Sequence, residues 1–238
     1  MGGFKPLLDV GGKPALLRLL DTISSVAAIG TIAVVTGHKH ELLEEAIRLY
    51  TETTDEHRLH TIYNADHESG MFSSIQTGIR CLTQDGGSST AQGGGSSATQ
   101  GDGSSSAQGG GSSSAQGGGS STAQGNPISA ALLFPADVPL VAEGTIAGLI
   151  DAWELRLAAE AFAVPVFEGR NGHPLLIPHG RFEEILCFSG KGGLKAVRSR
   201  YDAEMVRYVT GDEGCVLDMD TLEDHQALLK YYEEQKQK

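Results

Sequence analysis

A run of five consecutive octads at residues 85–124 constrains most strongly what this chain can fold into. The octads read DGGSSTAQ, GGGSSATQ, GDGSSSAQ, GGGSSSAQ and GGGSSTAQ, without an aromatic or a large aliphatic residue. Such a segment has no side chains whose burial could offset the entropy lost on ordering, and a period of eight is too short for a solenoid repeat. We therefore predict a flexible loop, which leaves 198 of the 238 residues to form the fold.

The segments on either side of the octads indicate where this loop lies. Residues 73–82, SSIQTGIRCL, have the apolar spacing of a helix, and residues 129–134, SAALLF, form a short apolar run typical of a buried strand. A helix that leads into a buried strand is the ordinary crossover of a parallel sheet. We therefore expect one domain over residues 1–238, interrupted by the loop at 85–124.

Strand and helix patterns alternate along the rest of the chain. The predicted strands lie near residues 7–10, 31–35, 59–63, 129–134, 162–167, 175–177, 205–209 and 216–217. The predicted helices lie near residues 14–23, 39–50, 73–82, 144–159, 181–188 and 194–201, and from 222 onward. This alternation predicts an α/β fold with a mainly parallel sheet, in which ligands bind at the carboxyl ends of the strands.

The charge balance disfavours two classes of partner. The chain has 18 Lys and Arg against 30 Asp and Glu, a formal charge of −12. Nucleic acids and anionic membranes are bound by basic surfaces, so we expect neither as a partner. No apolar run of about 18 residues is present, and Met1 to Lys5 contain no apolar leader, which predicts a cytoplasmic protein.

Three charged segments are candidates for a functional site. Asp137 follows the strand at 129–134 in the sequence PADVP, although an acidic residue there is also typical of a turn or a helix cap. The segment LDMDTLED contains Asp218 and Asp220, and Asp220 could equally cap the last helix, with Glu223 completing a capping box. Lys5, in MGGFKP, could contact a phosphate as a point charge.

Taken in order, several segments resemble one family of enzymes. The chain is similar to the nucleotidyltransferase family that includes molybdenum cofactor cytidylyltransferase in FKPLLDVGGKPALL, VVTGH, NADHESGMFSSIQTGI, LLFPADVPLV, GRNGHPLLIP, SGKGGLKAV and LDMDTLEDHQAL. The resemblance spans the chain apart from the octads. It implies a three-layer, Rossmann-like domain of the nucleotide-diphospho-sugar-transferase type.

The amino terminus departs from the family pattern. The family opens with a buried strand and a loop of the form LAAGxSxRMG before its lysine, whereas this chain begins MGG. We therefore expect the first strand of the fold to be missing, because the recorded start lies downstream of the natural one. A naturally truncated protein is the alternative.

The resemblance also implies a reaction and the residues that support it. A nucleoside triphosphate, with CTP favoured, is attacked at its α-phosphorus by a phosphate-bearing acceptor such as a molybdopterin-type cofactor, and pyrophosphate is released. By the family's motifs, Lys5 and Asp137 are catalytic, and Asp137 and Asp220 bind Mg²⁺, which prefers carboxylate oxygens. A molybdenum-dependent enzyme is a possible further partner.

The remaining matched residues would hold the two substrates. The nucleotide-binding set implied by the resemblance is Gly2, Gly3, Lys5, Gly37, Gly70, Ser73, Ser74 and Pro135. The acceptor-binding set is Gly172, His173 and Pro174. Ser73 as a helix cap and His173 as a packing residue are the alternatives for these two positions.

Three alternatives to this function stay open from the sequence. A protein without the complete phosphate loop could bind and deliver a nucleotide or cofactor without catalysis. A sugar phosphate could replace the molybdenum cofactor as acceptor. Guanine could replace cytosine, because related enzymes of the same architecture use GTP.

Overall fold

The computed structural model describes residues 4–84, 128–156 and 160–237. The helices in these ranges are α1 (Ala15–Ser25), α2 (His40–Thr54), α3 (Met71–Gln84), α4 (Glu143–Leu155), α5 (Phe182–Cys187), α6 (Gly193–Arg198) and α7 (Leu222–Lys236). The strands are β1 (Ile32–Thr36), β2 (Leu59–Tyr63), β3 (Ala130–Leu133), β4 (Ala163–Phe167), β5 (Arg170–Asn171), β6 (Leu175–Pro178) and β7 (Val206–Val209). The octads predicted as a loop at 85–124, and Gly2 and Gly3 of the predicted nucleotide site, lie outside the described residues.

The predicted alternation of strands and helices is confirmed. Strand β2 has the predicted bounds, and α1, α2, α3 and β1 begin or end within a few residues of theirs. Helix α1 follows Pro14, whose fixed φ suits the start of a helix, and it buries the apolar face that contains Leu16, Leu20 and Ile23. Among the described residues, no helix is both long and apolar enough to span a membrane.

The strands pair as two sheets in the described part of the chain. Strands β1 and β2 pair in parallel, from Ile32 opposite Leu59 to Thr36 opposite Tyr63. The second sheet has the order β3-β6-β4-β5, and β7 also pairs with β4. We predicted a fold without its first strand, and the described residues contain no strand that pairs with both β1 and β3.

The sheets are mixed rather than mainly parallel, which corrects the predicted topology. Strand β7 runs parallel to β4, but β6 runs antiparallel to both β3 and β4. The reversal begins at a two-residue turn, Glu168 and Gly169, whose φ angles of 47° and 78° are those of a hairpin that returns the chain along β5. Glu-Gly is a weaker hairpin signal in sequence than Asn-Gly, so the alternation alone did not predict this reversal.

Two predicted strands are wrong. The segment at 7–10 is part of a tight turn, with a 3₁₀ helix at Lys5–Leu7 and one isolated bridge from Asp9 to Pro14. The turn is sharp because Asp9 accepts a hydrogen bond from the N–H of Gly12 at 3.1 Å. The segment at 216–217 forms no strand, because Val216 ends a 3₁₀ helix, Glu213–Val216, and Leu217 comes directly after it.

One cluster of apolar side chains fixes the end of β3 relative to β1, and a second cluster packs α3 against the other sheet. The first cluster joins α1 and α2 to β1, and Phe134 and Ala136, just after β3, pack against it. The second cluster joins Ile75 and Ile79 of α3 to the buried strands β4 and β6. Asp137 is therefore held at the end of β3 by a segment packed on the first cluster.

Candidate functional site

Asp137 follows β3 in a turn whose neighbours are buried. Val138 is only 3% exposed, and its N–H donates to the carbonyl of Pro135 at 3.3 Å. The alternative that Asp137 caps a helix is wrong, because α4 begins at Glu143, beyond the turn. In the described part of the chain the Asp137 carboxylate accepts no hydrogen bond, so it is available to a ligand.

Lys5 and Asp220 bring the two ends of the described chain together. The Lys5 ammonium contacts the Asp220 carboxylate at 2.7 Å. The hydrogen bond that the Lys5 ammonium donates to Asp220 raises the pKa of Lys5, and the charges of Asp220, Asp137 and Asp218 add to the same effect. One lysine and three carboxylates from three segments of the sequence therefore share one surface.

Asp220 is not the cap of the last helix, which corrects that alternative. The cap of α7 is Thr221, whose hydroxyl accepts from the N–H of Asp224 at 3.1 Å, while Asp224 accepts from the N–H of Thr221 at 2.8 Å. The capping box is one residue later than the sequence pattern suggested. Its formation leaves the Asp220 carboxylate to Lys5.

Asp218 is a member of this cluster that our predicted site residues omit. Burial and the neighbouring carboxylates of Asp220, Asp224 and Asp137 raise the pKa of Asp218. The signal was present in LDMD, because alternate residues of an extended segment point to the same face. Met219, between the two aspartates, is fully buried, so Asp218 and Asp220 share the outward face.

His173 lies beside the same carboxylates. Its backbone N–H donates to the carbonyl of Cys215 at 2.8 Å, and the peptide bond from His173 to Pro174 is cis. Burial lowers the pKa of His173, Asp137 and Asp218 act against that shift, and the charge of Arg198 lowers the pKa further. The imidazole is therefore neutral near pH 7.

The His173 side chain has a buried nitrogen without a partner. In the described part of the chain, Nδ1 makes no hydrogen bond, although buried polar atoms are nearly always paired. Gly172 makes the close backbone approach possible, because a Cβ there would lie 2.6 Å from the Cys215 carbonyl oxygen. The His173 imidazole therefore has one hydrogen-bonding position that no described residue uses.

The predicted serine turn is organised by Asn64, which sequence reasoning missed. Asn64 is 3% exposed, and its amide nitrogen donates to the hydroxyls of Ser73 and Ser74, each at 2.9 Å. Its amide oxygen accepts from the N–H of Asp66 at 3.0 Å and from the hydroxyl of Thr77 at 3.4 Å. The signal was a lone asparagine directly after a strand, in NADHESGMFSS, to which no role was given.

The two serines differ in whether the hydroxyl proton is already used in a hydrogen bond within the protein. Ser73 donates to the carbonyls of Gly70 and Asp66, at 2.8 and 2.9 Å, so its proton is used within the turn. The alternative that Ser73 caps α3 is wrong, because the helix begins at Met71. Ser74 accepts from Asn64 and has no acceptor for its own proton among the described residues, so it can donate to a ligand.

Gly37 lies at the end of β1, between the serine turn and Lys5. A Cβ on Gly37 would lie 2.5 Å from Cβ of His67, so only glycine fits this approach of the two turns. The next residue, His38, contacts the ring of Phe4, with centroids 6.3 Å apart, and Phe4 adjoins Lys5. The structure thus brings Lys5 and Asp220 into contact and Asp137 near both Lys5 and His173. Gly37 is linked to this cluster only through its neighbour His38, which contacts Phe4 beside Lys5.

The donor set fits a hard divalent cation only in part. Among the described residues, no group of three or more His, Cys, Asp and Glu is arranged to hold a metal ion. Mg²⁺, however, usually binds one or two protein carboxylates and takes its other ligands from water and substrate phosphates. Asp137 and Asp220 have carboxylates of the kind that such a smaller site uses.

An α/β domain with charged groups at the strand ends is the arrangement found in nucleotide-binding proteins of this class. Residues 1–205 match the family described as MobA-like NTP transferase domain, so the chain belongs to that family and has a nucleotidyltransferase domain. Asp218 and Asp220 lie beyond the matched residues. No curated protein matches the chain.

Solved structures share the fold. Rv0371c from Mycobacterium tuberculosis H37Rv is 18% identical, with 97% of this chain and 90% of that chain covered and a TM-score of 0.62. A structure of Rv0371c in complex with manganese is 17% identical, covering 96% and 93% with a TM-score of 0.59. These identities support the fold alone.

Two further structures carry names related to nucleotide transfer. The 4-diphosphocytidyl-2C-methyl-D-erythritol synthase from Anaerococcus prevotii DSM 20548 is 14% identical, covering 97% and 90% with a TM-score of 0.61. Molybdopterin-guanine dinucleotide biosynthesis protein A from Archaeoglobus fulgidus is 11% identical, covering 98% and 92% with a TM-score of 0.55. These too are likenesses of fold.

Proposed function

We propose that this protein transfers CMP from CTP to a phosphate-bearing acceptor, the molybdenum cofactor, and releases pyrophosphate in a Mg²⁺-dependent reaction. The observation that carries the proposal is the meeting of Lys5 and Asp220 near Asp137, which follows β3, with His173 and its unpaired nitrogen close to Asp137. The family membership supports the reaction class. The choice of cytosine and of the acceptor rests on the resemblance of the GMFSS and GHP segments.

The residues present suit a reaction between two anions. An oxygen of the acceptor phosphate forms a bond to the α-phosphorus, and the bond from that phosphorus to the bridging oxygen breaks, so that pyrophosphate leaves with the electron pair. No covalent enzyme intermediate is needed, because positioning and electrostatic stabilisation can supply the rate enhancement. Lys5 is protonated at neutral pH and contributes the positive charge that the crowded phosphates need.

The divalent cation would be held by Asp137 and Asp220. When bound, it would supply charge neutralisation on the phosphates of the nucleotide. The manganese complex of Rv0371c supports a divalent-metal requirement in a protein of this fold. Asp220 is paired with Lys5 in this structure. A bound metal would therefore compete with Lys5 for the Asp220 carboxylate, and the triphosphate would compete with Asp220 for the Lys5 ammonium.

Two hydrogen-bonding groups would orient the substrates. The free proton of the Ser74 hydroxyl can donate to the ribose or base of the nucleotide, and Asn64 fixes that hydroxyl in place. The neutral imidazole of His173 can exchange one hydrogen bond with the acceptor without adding charge. Gly172 and Pro174 hold the histidine backbone next to Cys215.

Pyrophosphate release tests the proposal. The protein is incubated with CTP, Mg²⁺ and the isolated molybdenum cofactor, and pyrophosphate is measured for the wild type and for Asp137→Asn. A matched control is Asp151→Asn, which changes an exposed carboxylate of α4. We expect release that Asp137→Asn abolishes and the control preserves.

The same assay separates the alternatives. GTP replaces CTP in one arm, and a hexose 1-phosphate replaces the cofactor in another. Turnover with the sugar phosphate but not the cofactor would assign the other acceptor. CTP binding without pyrophosphate release in any arm would favour a non-catalytic delivery protein.

A further inference from the structure

A groove separate from the cluster of Lys5, Asp137 and Asp220 lies between α3 and the segment that follows α5. It has a volume of about 530 Å³. Its lining residues come from α3 and the residue Ser69 before it, and from the stretch that runs from the end of α5 to the start of α6: Ser69, Phe72, Ser73, Gln76, Arg80, Leu186, Cys187, Phe188, Ser189, Gly190, Gly192 and Gly193. The second stretch contains SGKGG, a motif for which the nucleotidyl transfer described above has no use.

Specific contacts fix the two walls of this groove. The side-chain amide of Gln76 donates to the carbonyls of Ile185, Leu186 and Phe188, at 2.9, 3.3 and 3.1 Å. The rings of Phe72 and Phe188 meet edge to face, with centroids 6.0 Å apart. The groove is therefore a built feature of the fold, with a width set by these contacts.

The charge of the groove is opposite to that of the rest of the protein. None of its lining residues is acidic, although the chain has a net charge of −12. Arg80 is exposed in the groove and makes no ion pair in the described part of the chain, and the exposed Lys191, between Gly190 and Gly192, makes none either. Two cations without partners, in a strongly acidic protein, favour an anionic ligand.

The loop also offers backbone donors. In the described part of the chain, the N–H groups of Ser189, Gly190 and Lys191 donate to no other group of the protein. Gly193 lies against Phe72, where a Cβ would be 3.0 Å from the ring, and Gly192 has a φ of 91°. Glycine at 193 accommodates the Phe72 ring and glycine at 192 permits the positive φ, so both glycines shape the loop that carries these N–H groups.

Two features connect the groove to the proposed site of transfer. Ser73 belongs to the groove and, with its neighbour Ser74, to the turn held by Asn64. Arg198, at the end of α6, is close enough to His173 for its charge to act on the imidazole. The groove thus borders the proposed nucleotide and acceptor residues without including Asp137 or Lys5.

We propose that this groove binds an anionic group of the acceptor, remote from the phosphate that reacts, through Arg80, Lys191 and the N–H groups of the loop. The inference rests on the proposed function for the identity of the acceptor, but anion binding in the groove does not depend on turnover. Inorganic phosphate is the probe for that binding, since it presents the same oxygens to the same donors.

Cys187 provides a reporter inside the groove. It is an exposed free thiol, whereas Cys215 is buried and its pKa is raised to about 12, mainly by burial. A bound anion shields Cys187 and disfavours its thiolate, so alkylation slows. The experiment measures the rate of alkylation by iodoacetamide at the peptide that contains Cys187, by mass spectrometry, against phosphate concentration at constant ionic strength.

The variant Arg80→Ala/Lys191→Ala tests whether protection comes from this groove. We expect its affinity for phosphate to fall by about tenfold or more, because bonds to charged donors contribute at least that much. Lys230→Ala, which changes an exposed lysine of α7, is the matched control and should be protected like the wild type. Absence of protection in the wild type, or equal protection in the double variant, would overturn the inference.

A kinetic arm distinguishes an acceptor group from a free anion. If the acceptor occupies the groove, the double variant raises the KM for the acceptor by about tenfold and leaves the KM for CTP unchanged. An unchanged KM for the acceptor, with phosphate protection intact, would overturn the assignment to the acceptor. If neither the wild type nor the variant turns over CTP and the acceptor, the proposed function is wrong. The alkylation experiment then still decides whether the groove binds an anion.

Discussion

The cluster of Lys5, Asp137, Asp218 and Asp220 and the turn held by Asn64 are built in opposite ways. In the cluster, like charges are crowded at the surface, and the Asp137 carboxylate has no hydrogen-bond partner among the described residues. The Asn64 amide is buried, uncharged and fully hydrogen-bonded on both sides. The cluster therefore has groups that can still bind a ligand, whereas almost all the hydrogen-bonding groups of the Asn64 turn are used within the protein.

This difference teaches which residues should affect activity and which should affect stability. Charged groups near the surface contribute little to the free energy of unfolding, so stability does not explain why these charges are crowded together, whereas a bound ligand would. A buried, saturated amide stabilises the fold and positions its neighbours.

The largest expected effect is on catalysis by Asp137. We expect Asp137→Asn to lower kcat by about 10³-fold or more, because a charge that stabilises the reacting phosphates is lost. The free energy of unfolding should change by less than about 0.5 kcal/mol, because the half-buried carboxylate makes no hydrogen bond within the described residues that the variant would lose. Steady-state pyrophosphate release and urea denaturation measure the two effects, and a large loss of stability would contradict the division.

The next effect is on folding through Asn64. We expect Asn64→Ala to lower the free energy of unfolding by about 3 kcal/mol, because it removes several bonds and leaves buried partners unpaired. Urea denaturation measures it, and Asn171→Ala, which changes an exposed asparagine of β5, is the control. Equal stability of the two variants would show that the turn is not held by the amide.

Substitutions of the two serines of this turn should differ in their effect on the KM for CTP. Ser74→Ala should raise the KM for CTP by up to about tenfold, because its free proton is the donor available to the nucleotide. Ser73→Ala removes a hydroxyl whose proton is already used inside the turn, so its KM for CTP should stay close to that of the wild type. The opposite order would assign nucleotide contact to Ser73.

His173 should link the stability of the protein to pH. Burial lowers its pKa below the ordinary 6.5, so the unfolded chain takes up a proton before the folded one does. The contribution to stability is full above pH 6.5 and is lost as pH falls through the folded pKa. The stability difference between wild type and His173→Asn should therefore shrink on acidification.

Chemical denaturation at a series of pH values measures this dependence. His57→Asn, which changes an exposed histidine, serves as the control and should parallel the wild type. A stability difference between wild type and His173→Asn that is constant with pH would contradict a buried neutral imidazole.

The smallest expected effect is on stability through the pair of Lys5 and Asp220. Its side chains are 37% and 66% exposed. We expect Asp220→Asn to change the free energy of unfolding by less than about 1 kcal/mol, because exposed ion pairs contribute little. A larger loss would mean that the ends of the chain are held together mainly by this contact.

Local pattern predicted most of the secondary structure. Helix α7 begins at Leu222 as predicted, and β2 has its predicted bounds, because apolar spacing reports directly which face is buried. The direction of β6 was not predictable in this way, since the spacing of a strand is the same in parallel and antiparallel pairing. The turn at Glu168 and Gly169 decides that direction.

The site was predicted only where a residue had a distinctive neighbourhood in sequence. Asp137, after a buried strand and between prolines, was found in this way, and Asp220 was found through the family pattern. Asn64 was missed, because a single asparagine in a loop has no sequence signal that tells a buried amide from a solvated one. Arg80 and Lys191 were missed for a related reason, since they are distant in sequence and only folding places Arg80 in the groove that the loop around Lys191 lines.

The sequence by itself determined the alternation of strands and helices, the family and the residue types able to handle phosphates, because each is written in local spacing and motif. Only the tertiary structure decided that Lys5 contacts Asp220 across 215 positions, that Thr221 and not Asp220 caps α7, and that Asn64 fixes the serine turn. Contacts between distant segments depend on how the sheets and helices pack. No periodicity within one segment encodes that packing.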